Sequence, residues 1–170
     1  MAHPPAESAL ARGTSFEPRE VDVVIEVPRG SFLKRTLAGR VVFVSPLPCP
    51  FNYGAVPAFL GLEGDLLDAV VLGPRLHFGT SLRVKVWGAV TLTDRGMVDD
   101  KLICSPHRPS PAQIEQVLHF FRFYARCKGW LNRLRLRPGR NASEGWCDAS
   151  LALARARPLP AVWTGSTVPF

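Results

Sequence analysis

The hydrophobic period of this chain changes once, and that change limits what it can fold into. Up to Cys104 the apolar runs are short and partly alternating, the pattern of half-buried strands. Val21, Val23, Ile25 and Val27 share one side of the first run, which Pro28-Arg29-Gly30-Ser31 breaks. Leu37–Val44 offers a second strand and Asp68–Leu72 a third, closed by Gly73-Pro74. Ser81–Leu92 sets Leu82, Val84 and Val86 against Arg83, Lys85 and Trp87, and Leu102–Cys104 follows. Pro46, Pro48, Pro50 and Pro57, with Gly54, mark a turn-rich connection, although it also carries Phe51, Asn52 and Tyr53. From Ser110 the period becomes helical. Ser110 can cap a helix that begins at Pro111, and Ile114, Val117, Leu118, Phe121 and Tyr124 share its apolar face. Gly129 is the expected stop, and Ala142–Arg157 is a second expected helix. Strands followed by helices specify an α+β domain built on a small β-barrel.

Composition narrows the class. A chain of 170 residues that is 46% hydrophobic and 21% charged fits one ordered domain. Residues 1–20 read as a loose arm, 21–157 as the domain, and 158–170, opened by Pro158 and Pro160, as a tail. The first twenty residues lack the apolar stretch of a signal peptide, and no segment approaches the length of a membrane span. Cys49, Cys104, Cys127 and Cys147 contain no C-x-x-C pair and read as reduced thiols. Together these point to a cytoplasmic protein. The net charge of +7 permits polyanion binding. Its densest part, Arg122 to Arg140, reads as a solvated basic face.

Against that basic background the acids are crowded. Six of the fourteen carboxylates fall in two clusters, Glu63-Gly64-Asp65-Leu66-Leu67-Asp68 and Asp94 … Asp99-Asp100-Lys101. Like charges so close repel unless a cation sits among them, and a hard divalent ion such as Mg²⁺ prefers oxygen ligands. In an extended segment Glu63 and Asp65 would share a face, with Asp68 brought round by a bend. If the strands carrying the two clusters are neighbours, five carboxylates converge. Such a pocket can hold paired metals that clamp a phosphoryl group and acidify a water, while a carboxylate that binds no metal takes the proton. Lys34 and Lys101 would neutralise phosphoryl oxygens, and Tyr53 and Tyr124 would donate hydrogen bonds to them. These residue types suit hydrolysis of a phosphoanhydride. E-G-D-x-x-D alone is a weak signal, and its spacing is not that of an EF-hand.

The order of the motifs adds to this. Ile25-Glu26-Val27-Pro28-Arg29-Gly30-Ser31 … Lys34, Asn52-Tyr53-Gly54, the two acid clusters, His119-Phe120-Phe121 … Tyr124 and Gly145-Trp146 resemble, in that order, the soluble family I inorganic pyrophosphatases. The resemblance spans about residues 21–157. It implies a five-stranded OB-like barrel flanked by C-terminal helices. It also implies Mg²⁺-dependent hydrolysis of inorganic pyrophosphate, and a homo-oligomer that in bacteria is often a hexamer. By the same resemblance Glu63, Asp68, Asp94 and Asp99 are metal ligands, and Glu26 holds metal through water. Asp65 is the general base, and Lys34, Tyr53, Lys101 and Tyr124 bind phosphate. The chain departs from the family pattern at Glu63 and Leu66, where the acidic motif has aspartate and proline. It departs again at Thr36, Val41, Cys49 and Ala125, where the family has glutamate, arginine, tyrosine and lysine. Arg40, one place off, is the candidate to replace the arginine. Losing two charged contacts would cost on the order of a thousandfold in rate. The alternatives are therefore a weakened or silent relative that binds metal or phosphate and acts through partners, or an OB-like nucleic-acid binder. The acid clusters, which repel a phosphate backbone, argue against the last.

Overall fold

Five strands close on one another to form the centre of the molecule. The computed structural model describes residues 17–162 apart from 37, 46 and 138, with the backbone alone at 42 and 43. Most of the expected arm, the far end of the expected tail and the start of the expected strand at Leu37 lie outside the described residues. The elements are β1 (Glu20–Val27), β2 (Leu33–Arg35), β3 (Val41–Val44), β4 (Asn52–Leu60), β5 (Leu66–Val71), β6 (Ser81–Asp94), β7 (Met97–Cys104), α1 (Pro111–Leu134), β8 (Ala142–Cys147), α2 (Ala149–Arg155) and β9 (Arg157–Pro158). Strands run in the order β1-β4-β5-β7-β6, and β1 pairs again with β6 to close the ring. All these pairings are antiparallel except β5 with β7. β8 extends the far edge of β6, and β2 and β3 form a separate hairpin.

The ring has two apolar cores. Inside it, Val23, Ile25, Val56, Leu67, Ala69, Val71, Val86, Ala89, Leu102 and Cys104 pack against Ala149, Ala152 and Leu153 of α2, which covers this core. Outside it, Val70, Val90, Leu92 and Ile103 pack under Val117 and Phe121 of α1. Both faces of β5, β6 and β7 thus feed a core, which is why β5 reads as a nearly continuous apolar run.

Three expectations need correction. The proline-rich stretch contains β4, because Pro57 falls where the register with β5 shifts from Val56↔Leu67 to Leu60↔Leu66. A proline in such a bulge removes no ladder bond. Gly129 does not stop α1, whose N-terminus carries the expected cap on Ser110, closed by Gln113 as a capping box. Residues expected to start a second helix form β8 instead, and α2 begins only after the Asp148 cap. Gly145, with φ of 98°, and Trp146 suit that strand: the Trp146 ring lies over Gly88, where any Cβ would clash within 2.0 Å. The expected tail opens by pairing with β4 through β9.

Candidate active site on the outer face of the ring

Register alone places the candidate side chains on one face. Residues directly opposite in an antiparallel pair point the same way, as do residues two apart on a strand. Asp99 lies opposite Leu92, so Asp94, two residues on, shares its side. Lys101 is in register with Asp68 across the parallel pair, and Tyr53 lies opposite Val70, two residues from Asp68. This is the face that α1 covers.

Asn52-Tyr53-Gly54 illustrates how the local sequence builds it. Asn52 is fully buried and makes four hydrogen bonds. Its Oδ1 accepts from the Arg29 and Leu76 amides at 3.1 and 2.8 Å, and its Nδ2 donates to the Val71 and Pro74 carbonyls at 3.2 and 2.8 Å. Gly54 is needed because a Cβ there would sit 2.1 Å from the Val24 carbonyl oxygen. Between these structural residues Tyr53 is fixed over the site.

Glu63, Asp68 and Asp99 offer carboxylate oxygens all within 4.8 Å of one another. Glu63 and Asp65 sit in a loop rather than an extended segment. Gly64 has φ of 90°, and the Gly61 amide donates to the Asp65 carbonyl at 2.8 Å. The bend sends the two acids to different partners: Glu63 hydrogen-bonds Asp99, while Asp65 acts electrostatically on Glu26. One ammonium serves the centre. Lys101 Nζ donates to Asp68 and, at 2.6 Å, to Asp99 Oδ1. Lys34 Nζ lies 3.7 Å from both Glu26 and Asp68. Both ammoniums stand over the Tyr53 ring, at 5.4 Å for Lys34 and 5.8 Å for Lys101, a cation–π arrangement.

Charge imbalance shows in the ionisation. Burial is the largest influence on Glu63 and, with Asp99 and Asp68 outweighing Lys101, pushes its pKa up to about 8. Burial also raises Glu26 against the pull of Lys34, with Asp68 and Asp65 adding to the rise. Asp68 goes the other way. Its burial is overcome by Lys101, Lys34 and the Tyr53 hydroxyl it accepts from, and it stays well below the usual carboxylate range. Burial disfavours the charged forms of Lys34 and Lys101, but Asp68 and its neighbours outweigh it and raise both.

The remaining expected residues divide. Asp94 shares the face but not the three-carboxylate group. Its Oδ2 accepts from Lys128 Nζ at 2.5 Å, and its buried Oδ1 has no hydrogen-bond partner, with Arg95 Nε 3.7 Å away. Tyr124 stacks on Phe120 and lies within electrostatic reach of Lys34, Tyr53 and Lys128. Arg40 is exposed, bonds through its amide to Thr36 Oγ1 at 3.2 Å, and takes no part in this charge network. Lys128 and Arg95 were not expected here. Lys128 follows Tyr124 by four residues on a helix, so the two share a face. That spacing was the available signal within a basic run read as solvated. Arg95 (φ 50°) and Gly96 (φ 85°) form the two-residue turn between β6 and β7, both left-handed as a tight hairpin requires. A cavity of about 920 Å³ beside the first half of α1, lined among others by Arg29, Phe51, His119 and Phe123, contains none of these residues.

A buried, proton-sharing carboxylate group and an orphaned carboxylate oxygen suit a divalent cation, which would relieve both. The known proteins that this chain is similar to agree. Residues 23–154 match the family model described as inorganic pyrophosphatase. The chain belongs to the inorganic pyrophosphatase family. It is 33% identical over 108 residues to the inorganic pyrophosphatase of Gluconobacter oxydans, covering 59% of this chain and 62% of that one, so the match spans less than two thirds of that relative. It is 32% identical over 129 residues to the inorganic pyrophosphatase of Aquifex pyrophilus, covering 63% and 73%. Among solved structures, the inorganic pyrophosphatase of Thermus thermophilus superposes with a TM-score of 0.64 at 26% identity, covering 84% of this chain and 90% of that one. The enzyme from Neisseria gonorrhoeae gives 0.60 at 27%, covering 78% and 84%. The α+β architecture accords with this membership, and metal binding follows from it.

Proposed function

We propose that this protein hydrolyses inorganic pyrophosphate to two phosphates with Mg²⁺ as its metal. The observation that carries the reading is the meeting of Glu63, Asp68 and Asp99 within 4.8 Å on a pyrophosphatase fold. These three, with Asp94, would hold the metal ions, and Glu26 would hold one through water. Bound Mg²⁺ supplies charge to the phosphoryl oxygens and lowers the pKa of a water. The chain's own residues do the rest. Asp65 stands in the loop before β5, apart from the three-carboxylate group, and is the base that takes the proton of the attacking water. Lys34, Lys101, Tyr53 and Tyr124 bind and orient the two phosphoryl groups; the two ammoniums are complementary to the charge that builds on the leaving phosphate, and the tyrosine hydroxyls donate hydrogen bonds to it. Arg40, on the turn between β2 and β3, would supply the phosphate-binding arginine in place of Val41. No described helix is long and apolar enough to cross a membrane. Residues 21–157 act as one domain, in the cytoplasm, as a homo-oligomer.

The test is phosphate release from pyrophosphate by purified protein, with and without Mg²⁺, beside an Asp65→Asn variant. Release that needs Mg²⁺ and falls about 10²- to 10⁴-fold in the variant supports the reading. No release above the variant would assign the chain to the silent relatives. Salt-sensitive binding of single-stranded DNA without turnover would make it a nucleic-acid binder.

A further inference from the structure

Three lysines enter the site, and they are held very differently. Lys101 is 6% exposed and clamped between two carboxylates. Lys34, 23% exposed, lies between Glu26 and Asp68. Lys128 is 31% exposed, and among the described residues its bonded partner is Asp94 alone. An ammonium has three donors, so two of those on Lys128 remain for another acceptor. Asp94 is 7% exposed and satisfied on one oxygen only. This ion pair is therefore incomplete on both sides: the acid's Oδ1 makes no hydrogen bond and has only Arg95 Nε at 3.7 Å, and the base has donors to spare.

We propose that Lys128 is a substrate-binding residue held in reserve. It neutralises Asp94 in the metal-free protein and turns to a phosphate oxygen when a divalent cation takes Asp94. The inference rests on the pyrophosphatase reading. Asp94 already carries Lys128 on Oδ2 and has Arg95 Nε 3.7 Å from Oδ1, so a divalent cation arriving there adds a third positive centre and displaces the more exposed of the two side chains, the Lys128 ammonium. The displaced group lies beside Tyr124 and within electrostatic reach of Lys101, on the side where anionic substrate binds. There it supplies the helix-borne positive charge that Ala125, buried at 6%, does not provide. Lys128 thus opposes metal alone and favours metal with anion, a coupling between the two ligands. The fold fixes Asp94 for this exchange. The Gly96 amide donates to the Arg140 carbonyl at 3.1 Å, and Gly139 packs so tightly on Arg95 that a Cβ there would clash at 2.6 Å.

Calorimetric titration with Mg²⁺ alone, and then with imidodiphosphate at saturating Mg²⁺, separates the two roles without turnover. In Lys128→Met, Mg²⁺ alone should bind about threefold or more tighter and imidodiphosphate about tenfold or more weaker, with Lys128→Arg restoring most of the anion affinity. Exposed Arg126, changed to Met on the same helix, should alter neither. Unchanged imidodiphosphate affinity in Lys128→Met overturns the proposal. So does a parallel weakening of metal and anion binding with a lowered Tm, which would make the pair structural. If the methionine variant does not fold, Lys128→Gln, which can still donate to Asp94, is read by the same two affinities. Wild-type protein that binds imidodiphosphate but releases no phosphate retires the hydrolytic reading and leaves this one standing. Wild-type protein that binds no imidodiphosphate ends both.

Discussion

Asp99 and Asp100 are neighbours on β7, both buried, yet they belong to different chemistries. Asp100 points into the ring, where Arg155 of α2 donates to it at 2.9 Å and Thr91 Oγ1 at 2.6 Å. One acid there meets one base. Asp99 points outward, where it shares Lys101 with Asp68 and stands against Glu63. With Glu26 counted, four acids there meet two bases, Lys101 and Lys34. A charge-balanced buried pair needs no added ion, even with Arg155 Nε left without a hydrogen-bond partner, whereas an acid-rich group needs a cation that the chain does not supply. What separates the two carboxylates is the local charge count, since both are buried and both are bonded.

The largest effect that would break this contrast is on the outward side. Asp68→Asn should abolish measurable Mg²⁺ binding at the three-carboxylate group and lower turnover of pyrophosphate by about a thousandfold or more, read by calorimetry and phosphate release. Its fold should survive, because Lys101 keeps Asp99. Asp100→Asn should behave in the opposite way. It leaves a half-buried guanidinium with a weaker partner and should cost about 2–3 kcal/mol of stability, a fall in Tm of roughly 5–10 °C. Turnover per folded molecule should remain unchanged. If Asp100→Asn removed metal binding while Asp68→Asn removed stability, the assignment of the two faces would be reversed.

The outward side was legible in the sequence because its acids are unusually dense and stand in motifs. The inward pair was not, since Asp100 and Arg155 are 55 residues apart and nothing local marks them as partners. The same limit hid Lys128: a cation inside a basic run looks solvated until the helix is laid against β6. Ring closure was readable only as a class. Alternation showed that strands exist, but β4 carries Pro57, and its role as the strand between β1 and β5 depends on a bulge that tolerates the proline. Ala142–Cys147 reads as helix because the packing of Trp146 over Gly88 is a tertiary fit that no helical or strand period encodes.

A smaller effect follows from Glu63. Its pKa of about 8 in the metal-free protein means that the folded state holds a proton the unfolded chain releases near 4.5. Between those values the folded state binds more protons, so this group's contribution to stability falls as pH rises through that window. Metal binding displaces the same proton. Apparent Mg²⁺ affinity should therefore rise by up to tenfold per pH unit below about 8 and level off above it, and added Mg²⁺ should offset the loss of stability. Thermal unfolding with and without Mg²⁺ from pH 5 to 9 measures both. A flat metal affinity across that range would show that Glu63 is ionised before metal arrives.

The smallest expected effect concerns the length of that same side chain. Glu63 leaves a loop fixed by Gly64 and the Gly61–Asp65 hydrogen bond, and it reaches Asp99 across the mouth of the group. Glu63→Asp withdraws the carboxylate by one methylene, about 1.5 Å. It thereby weakens the contact with Asp99 that holds the shared proton. Less crowding lowers the proton affinity, which favours metal, while the longer reach costs some ligand geometry. These changes oppose each other, so turnover at saturating Mg²⁺ should stay within about threefold of wild type, or rise. The pH at which metal affinity levels off should move below 8. A loss of a hundredfold would mean that the loop is set back from β7 by just that methylene, and that glutamate is required at this position.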